Sequence, residues 1–281
     1  MAELTVSASA ERARWQASAE AWERWADPIA PFAAKLNGPL IQAAGVGPGH
    51  LVLDLASGVG EPALNAARAA GPDGGVLGLD LTEAMLRTAA RRARRPEFTG
   101  GAWATFAAAD MCLLPLPDAS FDALTCRFGI MFVPEVGSAL AECRRVLRPG
   151  GRAAFMVWGP REANAQFAVL SSALDAVLGS DPADAVAPLF RFARPGSLET
   201  AMTAAGFSDV TASVLTPVAR LPAGEPFWRA TLEMTFATRI AGLPEAGRAV
   251  LETAIHDRFR AMGVDGTVAL GVNVRIVSAR A

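Results

Sequence analysis

Leu51-Val52-Leu53-Asp54-Leu55 is a short apolar run that passes directly into Ala56-Ser57-Gly58-Val59-Gly60-Glu61-Pro62-Ala63, and no other stretch of the chain restricts the fold so strongly. The run reads as a strand buried on both faces of a parallel sheet. Pro62 stands where its fixed φ suits the first turn of a helix. Strand, glycine turn and helix form the unit with which an open α/β sheet builds a nucleotide crevice at its carboxyl ends. Gly58 and Gly60 let a ligand approach bare backbone, and the helix start beyond them presents free N–H groups.

The pattern repeats downstream. Val76 to Asp80 reads as a second strand ending in a carboxylate, and Thr82 caps a helix running to about Arg95. Arg91, Arg92, Arg94 and Arg95 suit the C-terminal dipole of that helix, a simpler reading than a phosphate or RNA contact. Trp103 to Ala109, followed by Asp110-Met111, gives a third strand and Phe121 to Arg127 a fourth. A helix over 135–147 stops at Pro149-Gly150-Gly151, and Arg152 to Trp158 gives a fifth strand. Helices near 163–178 and 196–205 lead to a sixth strand, Val210 to Val218, and Thr267 to Ala279 is the seventh. Between those two lies a helical insert, about 224–262. The alternation predicts a Rossmann-like, doubly wound seven-stranded sheet, mostly parallel with an antiparallel strand at one edge.

Residues 8–45 read as helical, with Trp15, Trp22 and Trp25 at helix spacing. They form either a helical layer on the main domain or a lid whose indoles close the crevice. Two units follow: an N-terminal layer or lid over 1–47 and the main domain with its cap over 48–281.

Composition removes several function classes. With 52% apolar and 19% charged residues and a net charge of -2, the chain has a sizeable core and no dense positive footprint for nucleic acid. Cys112, Cys126 and Cys143 lack metal-ligand spacing, and His50 and His256 are the only histidines, so neither a metal site nor a disulfide framework is expected. No apolar run is long enough to span a bilayer, which points to a cytoplasmic protein, monomeric or homodimeric. Tyrosine is absent altogether, removing one common acid/base group.

The glycine turn also satisfies the dinucleotide pattern, with Asp80 about where a ribose-binding acid belongs. Three features oppose a nicotinamide cofactor. Asp54 precedes the turn, where it would repel a pyrophosphate but suit an ammonium or sulfonium. Asp110 adds a second carboxylate at the crevice. No tyrosine or paired histidine stands ready to protonate a carbonyl during hydride transfer.

Four motifs in order carry a resemblance: Val52-Leu53-Asp54-Leu55-Ala56-Ser57-Gly58-Val59-Gly60; Gly78-Leu79-Asp80-Leu81-Thr82-Glu83-Ala84-Met85-Leu86; Ala109-Asp110-Met111 with Leu114-Pro115-Leu116-Pro117-Asp118-Ala119-Ser120-Phe121-Asp122; and Arg145-Val146-Leu147-Arg148-Pro149-Gly150-Gly151. From about 50 to 158 the chain resembles class I S-adenosylmethionine-dependent methyltransferases, in the branch similar to the ubiquinone/menaquinone-biosynthesis C-methyltransferases. The resemblance implies S-adenosyl-L-methionine as cofactor. It implies that Asp54 with the backbone of Ala56, Gly58 and Gly60 holds the methionyl end. Asp80 would accept the ribose hydroxyls beside Leu81 and Met85, and Asp110 the adenine amino group beside Met111. The backbone around Arg127 would meet the methionyl amino group. Ala56 departs from the glycine that many relatives carry.

For the acceptor, the aromatic- and Met-bearing insert favours a small, apolar, cyclic molecule if it caps the pocket. Trp25 and Trp158 are the candidate acceptor contacts, with Arg127 also able to shape that site, and His256 is the one weak candidate for a general base. A cofactor-binding regulatory protein without transfer activity is the alternative from another class. A dehydrogenase and a macromolecular methyltransferase stand behind it.

Overall fold

β1 (Leu51–Leu55) occupies the middle of a seven-stranded sheet, the place its apolar side chains require. The computed structural model describes residues 8–181, 184 and 186–281. β2 (Gly75–Asp80) and β3 (Trp103–Ala108) lie on one side of β1, and β4 (Phe121–Arg127) and β5 (Leu147–Trp158) on the other. These five strands are parallel, with Leu53 paired to Leu77 and to Leu124. Strand order therefore reverses between β1 and β4, which is where such sheets hold ligands.

The order continues from β5 to β9 (Val274–Arg280) and then β6 (Ser208–Leu215). β9 is antiparallel to both of its neighbours, so the antiparallel strand lies one place inside the edge. The seventh stretch expected from the sequence divides in two. Its first part is β8 (Thr267–Gly271), which pairs with β7 (Val218–Pro222) in a separate two-stranded ribbon. Pro217, which has no N–H to donate, stands between β6 and β7. At the other break, the buried Asn164 clamps the chain: its Oδ1 accepts the Asn273 N–H at 2.9 Å and its Nδ2 donates to the Asn273 carbonyl at 3.0 Å.

The Pro149-Gly150-Gly151 break is a bulge inside β5 rather than a stop before it. Phe121 pairs with Leu147 and Ala123 with Arg152, so residues 148–151 loop out of the ladder, with Gly150 at φ +80°.

α2 (Ala63–Ala70) and the C-terminal half of α1 (Ala8–Ala43) cover one face of the sheet, burying Leu36, Leu40, Ala66 and Met156. α4 (Val136–Val146) and α6 (Ser197–Ala204) cover the other, over Leu124, Phe155 and Val277. α3 (Glu83–Ala93) follows β2 and packs on β3. The expected insert contains α7 (Arg229–Thr235), α8 (Ala237–Ile240) and α9 (Glu245–Ala261). With α5 (Ala165–Leu178) and the ribbon they enclose a third core around Phe167, Phe236, Phe259 and Val268. α1 runs through Pro28, Pro31 and Pro39 and crosses from the sheet to α3 and α7.

Candidate active site

The carboxyl ends of β1 to β5 open into a cavity of about 490 Å³, roofed by α1. Its chemistry differs from one end to the other.

At the ends of β2 and β3 it is acidic. Asp80 accepts the Gly58 N–H at 2.9 Å and the Thr82 N–H at 2.8 Å, so one carboxylate ties the glycine loop to the start of α3. Burial pushes its carboxyl above the usual range against the pull of those N–H groups. Each of its oxygens keeps a further lone pair. Asp110 accepts the Cys112 N–H through Oδ1 at 2.8 Å and keeps acceptor capacity in the same way. Leu81, Met85 and Met111 add apolar wall between them.

Asp54 lies beneath the wall and not on it. The Thr125 hydroxyl donates to its Oδ1 at 2.6 Å, and its Oδ2 is buried with no partner among the described residues. Burial raises this carboxyl to about 6, outweighing the Thr125 hydrogen bond and the Arg127 charge. Its charge reaches a ligand through the protein, without contact. Gly60 is also behind the wall. At φ +100° a Cβ there would stand 3.1 Å from Leu64 Cδ1 and 3.2 Å from Ala89 Cβ, so this glycine allows α2 and α3 to pack against the loop. Ala56, Gly58 and Arg127 do line the cavity. Ala56 sits at φ +52°, a left-handed backbone that costs a non-glycine residue about 1–3 kcal/mol. A Cβ on Gly129 would fall 2.3 Å from the Ala56 Cβ, so the bulkier residue at 56 requires a glycine opposite.

Beyond β4 the wall turns aromatic. Phe128, at φ +60°, donates its N–H to the Met156 carbonyl at 2.9 Å and stacks on Trp158 at 4.4 Å and 8°. Trp158 meets Phe167 edge-on at 5.0 Å. On the roof, Trp15 packs edge-on against Phe132 at 4.8 Å and near Trp22 at 6.4 Å, while α1 rests on Val59 and Met85. Trp25 faces elsewhere: its Nε1 donates to Glu233 Oε2 at 2.9 Å, pinning α1 to α7. Trp25 therefore does not line the cavity, unlike Trp15 and Trp22. Trp15 and Trp22, seven residues apart, share the face that meets the cavity.

A polar chain behind the loop was not visible in the sequence. Arg92 is almost fully buried, donates to the Val59 carbonyl at 2.8 Å and pairs with Glu61 at 2.8 Å and Asp27 at 3.3 Å. It is not a solvated helix-end cation. Glu61 also accepts from Asn37 at 3.2 Å, and Asn37 accepts from Arg127 at 3.1 Å. Asp27 and Asn37 belong to α1, so these bonds fasten the roof to the cavity floor.

His256 is half-buried on α9 and does not line the cavity. Cys112 does, but burial and the neighbouring Asp110 push its thiol up to about 11, leaving it protonated. Among the described residues, no group of three or more His, Cys, Asp or Glu is placed to hold a metal ion. No described helix is long and apolar enough to cross a membrane.

The sheet is Rossmann-like in its order, and residues 53–155 match the family described as a methyltransferase domain. Over part of its length the chain is similar to ubiquinone/menaquinone biosynthesis C-methyltransferases. It is 48% identical over 101 residues to the enzyme of Methylobacterium nodulans, covering 36% of this chain and 39% of that one. It is 40% identical over 126 residues to that of Cupriavidus taiwanensis, covering 43% and 50%. The chain therefore spans half or less of these curated relatives. Two solved structures share the fold more broadly. The YcgJ protein from Bacillus subtilis has a TM-score of 0.55 at 19% identity, covering 87% of this chain and 97% of that one. The [4+2]-cyclase SpnF has a TM-score of 0.54 at 23% identity, covering 88% and 79%.

Proposed function

We propose that this chain transfers a methyl group from S-adenosyl-L-methionine to a small, largely apolar, cyclic acceptor by in-line displacement. One observation carries the reading: a single cavity is acidic at the ends of β2 and β3 and aromatic beyond β4 and β5. Asp80 and Asp110 have acceptor capacity for a ribose diol and an exocyclic amine. The unpartnered Oδ2 of Asp54 supplies negative potential under the end where a cationic methionyl group belongs.

The bound cofactor supplies a methyl already activated on a positively charged sulfur. The protein's share is position and dryness. Phe128 and Trp158 offer a flat platform for the acceptor, and α1 closes over it. Holding the reacting atoms in near-attack geometry is worth about 7–11 kcal/mol of barrier. Excluding water strengthens the remaining electrostatics. A cavity of about 490 Å³ that must also hold the cofactor leaves room only for a compact acceptor.

The test is incubation of the full chain with methyl-labelled S-adenosylmethionine and a panel of phenols, quinols and indoles. Label should enter a ring-bearing acceptor. Tight cofactor binding with no transfer across the panel would favour a regulatory protein, and preference for a nicotinamide cofactor would overturn the reading.

A further inference from the structure

Five carboxylates line the cavity: Glu11, Glu61, Asp80, Asp110 and Glu135. Four are accounted for. Asp80 and Asp110 hold strand-end backbone N–H groups, Glu61 is bound by Arg92 and Asn37, and Glu135 is exposed to solvent. Glu11 is different. It is 4% exposed, and its Oε2 has no hydrogen-bond partner among the described residues. Among the described residues its ion pair, to Arg14, is long at 3.7 Å, and the Trp15 indole pulls on the same carboxylate without bonding Oε2. A buried carboxylate oxygen without a donor costs folding free energy, so it persists only where something else compensates for it.

The surroundings limit what that compensating group can be. Glu11 stands one helical turn before Trp15, on the face of α1 that carries the Trp15–Phe132 contact. A flat ring entering here meets indole and phenyl surfaces. Arg14 places its guanidinium 5.1 Å from the Phe132 ring centre and 5.2 Å from that of Trp15. A second cation would face that charge in a poorly solvated space, whereas a neutral hydroxyl gives the free oxygen its hydrogen at no such cost.

We infer that Glu11 is an acceptor-binding carboxylate, and that the acceptor is a cyclic molecule carrying a neutral hydroxyl which donates to Glu11 Oε2. This rests on the methyltransferase reading above and narrows its acceptor from apolar ring to hydroxylated ring. Glu11 orients the acceptor through one charge-assisted hydrogen bond while Phe128 and Trp158 hold its ring.

Calorimetry on the full chain tests it, first with S-adenosylhomocysteine and then, on the loaded protein, with three probes: 2-naphthol, 2-methoxynaphthalene and the cationic 2-naphthylmethylammonium. The wild type should bind 2-naphthol about tenfold or more tightly than either other probe, the range of a hydrogen bond to a charged group. Glu11→Leu should abolish that preference while S-adenosylhomocysteine affinity is retained. Should Glu11→Leu fail to fold, Glu11→Gln, which keeps shape and a weaker acceptor, should narrow the preference severalfold. Equal binding of naphthol and its methyl ether by the wild type overturns the inference. So does a preference that survives both substitutions, tightest binding of the ammonium probe, or a loaded protein that takes none of the three. Failure to bind S-adenosylhomocysteine at all would instead remove the methyltransferase reading beneath it.

Discussion

Asp54 holds its charge at a disadvantage in the folded protein, and that makes cofactor affinity depend on pH in a defined direction. Burial raises its carboxyl to about 6 from an ordinary value of 3.8. Between those values the folded state keeps a proton that the unfolded chain gives up. Stability therefore falls as pH rises through that window and levels off above it. A cationic methionyl end bound above Asp54 favours the ionised form. Affinity for S-adenosylmethionine should then weaken as pH drops below about 6, by up to about tenfold per pH unit. The same titration on Asp54→Asn should be flat over that range. Asp80 makes a different demand, because it also ties the glycine loop to the start of α3. Asp80→Ala strips the Gly58 and Thr82 N–H groups of their acceptor. It should cost about 1–3 kcal/mol of stability for each group left unpaired. Thermal melts and calorimetry should show lower stability together with at least about tenfold weaker S-adenosylhomocysteine binding. Asp80 was placed at the crevice by sequence alone because it ends β2 just before a turn. That Asp54 lies under the wall was not legible: the depth of a side chain below a loop depends on how Thr125 of the neighbouring strand meets it.

α1 is where the sequence says least and the structure adds most. Its three tryptophans mark an apolar face, but spacing alone does not tell which indoles meet the crevice. Pro28, Pro31 and Pro39 interrupt its hydrogen bonding, and the helix changes its supports, resting on the sheet over its C-terminal half and reaching both α3 and α7 from residues 23–27. Only that path shows that Trp15 and Trp22 roof the cavity while Trp25 binds Glu233. The same path brings Asp27 and Asn37 onto a buried Arg92–Glu61 pair that no local pattern announces, since the four residues come from α1, α3 and the glycine loop. The pair is breakable in an informative way. Glu61→Ala leaves Arg92 buried with the half-exposed Asp27 carboxylate and the Val59 carbonyl and should cost about 3–5 kcal/mol. Replacing both, Arg92→Met with Glu61→Leu, should recover much of that loss. Recovery of stability without recovery of S-adenosylhomocysteine affinity would show that the pair serves the roof. Recovery of neither would mean that the charges are needed for folding itself.

At the scale of the whole molecule the cavity stands where three apolar cores meet. Trp158 packs against all three, and Phe132 against the sheet core beneath α4 and the core of the cap. The sheet cores follow from strand–helix alternation and could be drawn from sequence. The cap core could not, because its ribbon joins strands about fifty residues apart and α5 is separated in sequence from α7 to α9. That division of labour has a consequence. The acidic end depends on loops fixed by the central sheet, whereas the aromatic end depends on the cap for Phe167 and Thr235. Damage to the cap core should therefore change acceptor use before it changes cofactor binding. Phe236 is 1% exposed in that core and does not line the cavity. Phe236→Ala should weaken the cap by about 3–5 kcal/mol through lost burial and the void left behind. Hydrogen exchange should quicken in residues 165–178 and 229–261, while the amides of β1 and β2 keep their protection. S-adenosylhomocysteine affinity should stay within about threefold of wild type, with methyl transfer to any competent acceptor losing about tenfold or more. If exchange instead quickens equally in β1 and β2, the cap and the sheet unfold as one unit, and acceptor choice cannot be altered in the cap without cost to the cofactor site.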